Sequence, residues 1–158
     1  MTYRIAIASD SHGDRDAVEA FKTKIIGFDR IFFLGDGARA FLEAVEPLGI
    51  PITAVAGNCD FFPGLPHEAV DEACGVRFFL THGNRYRVDY GLQALSYRAA
   101  EEDCAFALFG HTHVATESEW GGVTMLNPGS LSRPRQGKRS FGVLEFDGRK
   151  FLTKIELI

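Results

Sequence analysis

Six short apolar runs, each cut off by glycine and polar residues, constrain this chain more than any other feature. Residues 5–8 stop at Ser9-Asp10-Ser11-His12-Gly13, and residues 31–34 stop at Gly35-Asp36-Gly37. Residues 52–56 stop at Gly57-Asn58-Cys59-Asp60, and residues 78–80 at Thr81-His82-Gly83-Asn84. Residues 105–109 stop at Gly110-His111-Thr112-His113, and residues 123–126 at Asn127-Pro128-Gly129-Ser130. Continuous apolar runs of this length, bounded by turn residues, predict strands buried on both faces.

Helical spacing fills the gaps. Residues 16–26 carry Ala17, Val18, Phe21 and Ile25 on one side, with Lys22 and Lys24 outward. Residues 38–48 carry Ala40, Phe41, Ala44, Val45 and Leu48, with Pro51 soon after, and residues 91–103 carry Leu92, Leu95 and Ala99. The opening is therefore β-α-β-α-β, which calls for parallel strands. The C-terminal part differs. Strands at 116–120, 122–126, 141–146 and 151–156 are joined by Gly121-Gly122 and Asp147-Gly148, which are hairpin signals. The expected architecture is α/β: two mixed β-sheets packed together and flanked by helices.

The 158 residues suit one domain, 1–158, and a composition of 46% hydrophobic and 24% charged residues is that of a globular chain. The formal net charge of −4 argues against a nucleic-acid polymer or an anionic membrane as partner. Three scattered cysteines, Cys59, Cys74 and Cys104, make no disulfide framework and point to a reducing compartment. The N-terminal apolar run is too short for a signal peptide, and no stretch is long enough for a membrane span. The expected location is the cytoplasm.

The polar clusters all fall at carboxyl ends of predicted strands, the edge where α/β sheets bind ligands. They hold Asp10, His12, Asp36, Asn58, His82, His111 and His113. Taken singly these are ordinary residues: an Asp between glycines is turn chemistry, and a lone histidine more often sits satisfied in a core or loop. The joint pattern changes that, because four of the five histidines fall in these clusters. The fifth, His67, lies in a Pro- and Gly-rich stretch and reads as surface loop. Seven oxygen and nitrogen donors exceed one tetrahedral zinc site and suffice for two metals sharing a carboxylate. In extended segments Asp10-x-His12 and His111-x-His113 would point both members of each pair to one side.

The ordered set Asp10-Ser11-His12, Gly35-Asp36, Gly57-Asn58-Cys59-Asp60, Thr81-His82-Gly83 and Gly110-His111-Thr112-His113 resembles the signature of the calcineurin-like metallophosphoesterases. The small size, the Gly-Asn-Cys-Asp variant and the segment Asn127-Pro128-Gly129-Ser130-Leu131-Ser132-Arg133-Pro134-Arg135 resemble its compact microbial phosphodiesterase branch. The resemblance implies a four-layer αββα sandwich. It implies one divalent ion on Asp10, His12, Asp36 and His113 and a second on Asp36, Asn58, His82 and His111, with Asp36 bridging. It further implies Mn²⁺, although the donors alone would suit Fe, Co, Ni or Zn. The activity implied is hydrolysis of a small organic or nucleotide phosphodiester by a metal-bridging hydroxide, with Asp36, Asn58, Cys59 and His111 at the chemistry.

Two positions depart from that pattern. Cys59 stands where many members have a histidine that protonates the leaving group; a neutral thiol is a poor substitute, which favours diesters over monoesters. Asn84 stands where several relatives have a substrate-contacting histidine. Arg135, in a basic stretch with Arg133, Lys138 and Arg139, is the expected phosphate contact, the alternative being a solvated loop. Phe61 and Phe62 could stack on an aromatic group or pack on a neighbour, and Trp120 reads as hairpin packing. The competing functions are a scaffold of the same fold acting through protein contacts, as in the retromer subunit, and a phosphomonoesterase or phosphoprotein phosphatase. A homo-oligomer is compatible with the sequence.

Overall fold

The computed structural model describes residues 2–61 and 63–158; Phe62, one of the two aromatics considered for stacking, lies outside the described residues. The first sheet is formed by β1 (Tyr3–Ala8), β2 (Arg30–Phe33), β3 (Ile52–Ala54), β9 (Ser140–Phe146) and β10 (Phe151–Leu157), in the order β10-β9-β1-β2-β3. The second contains β4 (Glu68–Ala73), β5 (Val76–Thr81), β6 (Phe106–Leu108), β7 (Thr116–Trp120) and β8 (Val123–Asn127), in the order β4-β5-β6-β8-β7. Strands β1, β2 and β3 run parallel, as do β5, β6 and β8, while hairpin partners add antiparallel edges.

The continuous apolar runs have a simple cause. Side chains alternate across a strand, and here both faces are covered. In β1, Ile5 and Ile7 face the second sheet and pack with Phe32, Phe78, Leu80, Leu108 and Leu126. Their neighbours Ala6 and Ala8 face α1 (Arg15–Lys24) and α2 (Ala38–Val45) and pack with Phe21, Ile25, Phe41 and Val45. In the second sheet, Phe79, Ala107 and Met125 instead meet Leu95 and Ala99 of α3 (Gln93–Glu101). The layers are therefore helices, sheet, sheet, helix: the mixed α/β sandwich expected.

Three details differ from expectation. The sequence pattern does not predict the β4 strand. Its sequence, Glu-Ala-Val-Asp-Glu-Ala, has no apolar run because it is an edge strand, whose charges blunt further pairing. The second helix ends at Val45 rather than 48 and gives way to a 3₁₀ turn at Glu46–Leu48, because Pro47 has no amide to continue the ladder. Its buried stripe is Ala38, Phe41 and Val45, and Ala40 and Leu48 are exposed. The third strand stops at Ala54, two residues short of the expected end.

Candidate metal centre

The six strand ends converge on one edge, and the loops there are tied to one another by the backbone. Asp10 N–H donates to Gly35 O (2.9 Å), and Ser11 and His12 N–H donate to Asp36 O (3.0 and 3.1 Å). Asp60 does most of this tying. Its carboxylate accepts from the N–H groups of Asp36 (2.7 Å), Gly57 (2.8 Å), Gly37 (2.9 Å) and Ala38 (3.0 Å). It thereby caps α2, whose own N-cap is a glycine without a side chain. Gly57 is required here, since a Cβ would collide with the Asp36 carboxylate. Gly110 is required likewise against Ser9 and Asp10.

The donors do not converge by extension. Asp10, His12, Asp36, His111 and His113 have φ of 55°, 46°, 66°, 71° and 59°. The expected extended geometry of Asp10-x-His12 and His111-x-His113 is therefore overturned: sharp left-handed turns swing these side chains inward. Such conformations cost about 1–3 kcal/mol each and persist only where surrounding contacts enforce them. The cross-loop hydrogen bonds supply that enforcement.

Five donors meet closely. Asp10 Oδ1 lies 3.2 Å from His113 Nε2, 3.7 Å from His12 Nε2 and 3.8 Å from His82 Nε2. Asp36 Oδ2 lies 3.3 Å from His82 Nε2 and 3.8 Å from His12 Nε2. The Nε2 atoms of His12 and His113 are 3.3 Å apart. Asn58 and His111 join from one side. Asn58 Oδ1 lies 3.1 Å from His111 Nδ1, and the His111 and His82 rings meet edge-on with centroids 5.2 Å apart. Cys59 donates its backbone N–H to Asp36 Oδ1 (2.8 Å), and its thiol lies near His12 and Asp36.

Proton positions follow from the acceptors. His82 Nδ1 faces Leu34 O at 2.7 Å, and His113 Nδ1 faces Arg133 O at 2.7 Å. A carbonyl only accepts, so Nδ1 carries a proton in both, and each ring once neutral turns a bare Nε2 to the cluster. Asp10 Oδ1 and His82 Nε2 are buried and make no hydrogen bond. Leaving such atoms unpaired costs about 1–3 kcal/mol each. Lone pairs aimed at a common centre fit a divalent cation, and Asp10, His12 and His113, or Asp10, Asp36 and His82, could each hold one.

Without a cation, charge coupling holds both carboxylates ionised and favours a proton on two of the rings. Burial works against ionising Asp10, but the imidazoles of His113 and His12 hold its carboxyl well below the usual range. Burial opposes Asp36 too, and His82 pulls it down. Burial opposes a charge on His82, yet Asp36 and Asp10 raise it above the ordinary 6.5. The Asp10 contact raises His113 as well. Burial and the Asp36 carboxylate push the Cys59 thiol up, so it is neutral.

The expected substrate contacts fare unevenly. Arg135 is exposed, but its N–H donates to His113 O (3.0 Å), which fixes its loop at the site. Asn84 opens a 3₁₀ turn and makes none of the cluster contacts. Phe61 is 91% exposed and borders a cleft of about 310 Å³ with Gly37, Arg39, Ala40, Cys59 and Asp60. His67 is exposed, as expected. The sequence alone assigns no role to Asp60, to Asn127, or to Ser130 and Ser132. Asn127 Nδ2 donates to Gly110 O and Thr112 Oγ1, and both serine hydroxyls donate to Asp10 O (2.8 Å). All four lie in the strand-end clusters or just after them, the one signal that could have marked them. Asp89, 2.9 Å from His111 Nε2, carried no such signal.

A two-sheet sandwich with an Asp- and His-rich cluster at its strand ends is the architecture of the metallophosphoesterase-like proteins. The chain belongs to the calcineurin-like phosphoesterase superfamily, whose domain model matches residues 3–149. It is 31% identical over 145 residues to the probable metallophosphoesterase YsnB of Bacillus subtilis, covering 90% of this chain and 84% of that one. It is 29% identical over 170 residues to the phosphodiesterase YfcE of Escherichia coli, covering 91% and 88%. A predicted phosphoesterase from Streptococcus pneumoniae superposes with a TM-score of 0.84 at 33% identity, over 99% and 90% of the two chains. Vacuolar Protein Sorting 29 from Cryptosporidium parvum shares the fold at 18% identity, with a TM-score of 0.84 over 99% and 92%.

Proposed function

We propose that this chain, as one domain, is a two-metal phosphodiesterase acting on a small organic or nucleotide phosphodiester. The first ion would be held by Asp10, His12, Asp36 and His113, and the second by Asp36, Asn58, His82 and His111, with Mn²⁺ the expected metal. The observation that carries this reading is the pair of buried, unpartnered atoms, Asp10 Oδ1 and His82 Nε2, facing each other at 3.8 Å. When bound, two divalent ions supply Lewis acidity toward the phosphoryl oxygens and toward water at neutral pH.

The chain's own residues set the rest. Asp36, whose carboxylate faces both His82 and His12, would be shared by the two ions. Leu34 O and Arg133 O hold the His82 and His113 rings with Nε2 inward. Arg135, on the loop bonded to His113, receives the anionic ester. Cys59 lines the leaving-group side as a neutral thiol, which donates a proton less readily than imidazolium. The site therefore depends on a leaving group that departs unaided, which favours diesters of acidic alcohols or phenols over monoesters. The likeness to YfcE, named a phosphodiesterase, supports the same preference.

The test is hydrolysis of a bis-aryl phosphate and the matching monoester by metal-stripped protein, with Mn²⁺, Zn²⁺, Co²⁺, Ni²⁺ or Fe²⁺ returned singly. Metal-dependent turnover with the diester preferred is expected. Folded protein that binds two ions and turns over neither substrate would instead support a scaffold.

A further inference from the structure

We infer that Asp89 is the positioning residue for His111, fixing which ring nitrogen faces the second metal; this rests on the two-metal reading above. Asp89 Oδ2 lies 2.9 Å from His111 Nε2. A carboxylate only accepts, so with the ring neutral Nε2 carries the proton and Nδ1 presents its lone pair. That lone pair faces Asn58 Oδ1 at 3.1 Å. The amide is oriented by its other end, because Asn58 Nδ2 donates to Cys59 Sγ at 3.5 Å. Two acceptors thus confront each other without a proton between them. A shared cation resolves that repulsion, and the edge-on His82 ring sets the pair beside the buried His82 Nε2.

The backbone is shaped to return Asp89 to the site. After His82 the chain makes two 3₁₀ turns, Asn84–Tyr86 and Val88–Tyr90, divided by Arg87 at φ 52°. Tyr86 and Val88 N–H both donate back to Gly83 O (3.0 and 3.4 Å). Val88 is buried against Gly83, where a Cβ would not fit. Tyr86 Oη donates to Glu68 at 2.8 Å and holds the outer side. The next residue after buried Val88 is Asp89, delivered to the ring that the preceding strand's His82 adjoins. His82 and His113 use backbone carbonyls for this purpose, whereas His111 uses a carboxylate. A carboxylate partner fixes the tautomer and makes the opposite nitrogen a better donor.

The Asp89 and His111 side chains are 37% and 25% exposed, so the contact adds little to folding by itself. That separates a positioning role from a structural one. Mn²⁺ and Zn²⁺ are titrated calorimetrically into metal-stripped wild type, Asp89→Ala and Asp89→Asn. The ¹⁵N shifts of His111 are read in the metal-free proteins to identify its tautomer. We expect two ions in wild type. In Asp89→Ala one site weakens by about 10–100-fold while the other holds, the metal-free Tm is unchanged and His111 becomes a tautomer mixture. Asp89→Asn, whose amide oxygen can still accept, recovers part of both readouts. Wild-type affinities and an unchanged tautomer in Asp89→Ala would overturn the assignment alone. So would equal weakening of both sites with a lowered metal-free Tm. Wild type that takes up no second ion would remove the two-metal reading and this inference with it.

Discussion

At the residue scale, Asp36 shows how far sequence carries. A single Asp between two glycines is unremarkable, and only its place in a series of strand-end clusters singles it out. In the fold its Oδ2 lies 3.3 Å from His82 and 3.8 Å from His12, so one carboxylate faces donors from two loops. Asp36→Asn should therefore lower the uptake of both ions and reduce diester turnover by at least about 100-fold; calorimetry and a rate assay check it. Cys59 carries a different prediction. Cys59→His restores a group able to protonate a poor leaving group, and the ratio of monoester to diester turnover should rise about tenfold or more. A ratio that stays put would remove Cys59 from the leaving-group side. Asp89 was invisible in the sequence because it lies 22 positions before His111 and nothing in its local pattern announces a turn back to the site.

At the scale of elements, the loops rather than the strands hold the chemistry, and left-handed backbone is what gathers it. The strand-end glycines punctuate the turns in the sequence, and Gly35, Gly37, Gly57 and Gly110 are also places where neighbouring loops touch. Asp60 makes the point testable. Asp60→Ala would strip four backbone N–H groups of their acceptor and uncap α2. A loss of about 2–4 kcal/mol is expected, read by denaturant unfolding of the metal-free protein, with metal uptake impaired because the Gly35-Asp36-Gly37 turn loosens. Asp60→Asn, which keeps one oxygen acceptor, should lose less. The β4 strand was unreadable for the opposite reason: an acidic edge strand is defined by the β5 strand it pairs with, not by its own composition.

At the scale of the whole molecule, the two sheets share one core while each keeps its own helices, and all six parallel or central strands deliver their ends to one edge. The result concentrates charge. In the metal-free protein, His82 and His113 have raised pKa values, so the stability they contribute is present below about 6.5 and lost as pH rises through their folded values. Asp10 and Asp36 have lowered values, so theirs is present above about 3.8 and lost as pH falls through their folded values. The metal-stripped Tm should therefore fall between pH 6 and 8, while the increment on adding Mn²⁺ should grow over the same interval, because the imidazoles must shed protons to bind it. A scanning calorimetry series with and without metal checks both slopes. The sequence by itself determined the strand count of the parallel core, the two C-terminal hairpins and which seven polar residues fall at the strand ends, since hydrophobic periodicity and turn chemistry are local. Tertiary structure alone decided how those donors meet: left-handed turns, Asp60 across four amides and Asp89 behind His111 exist only because loops distant in sequence are packed edge to edge.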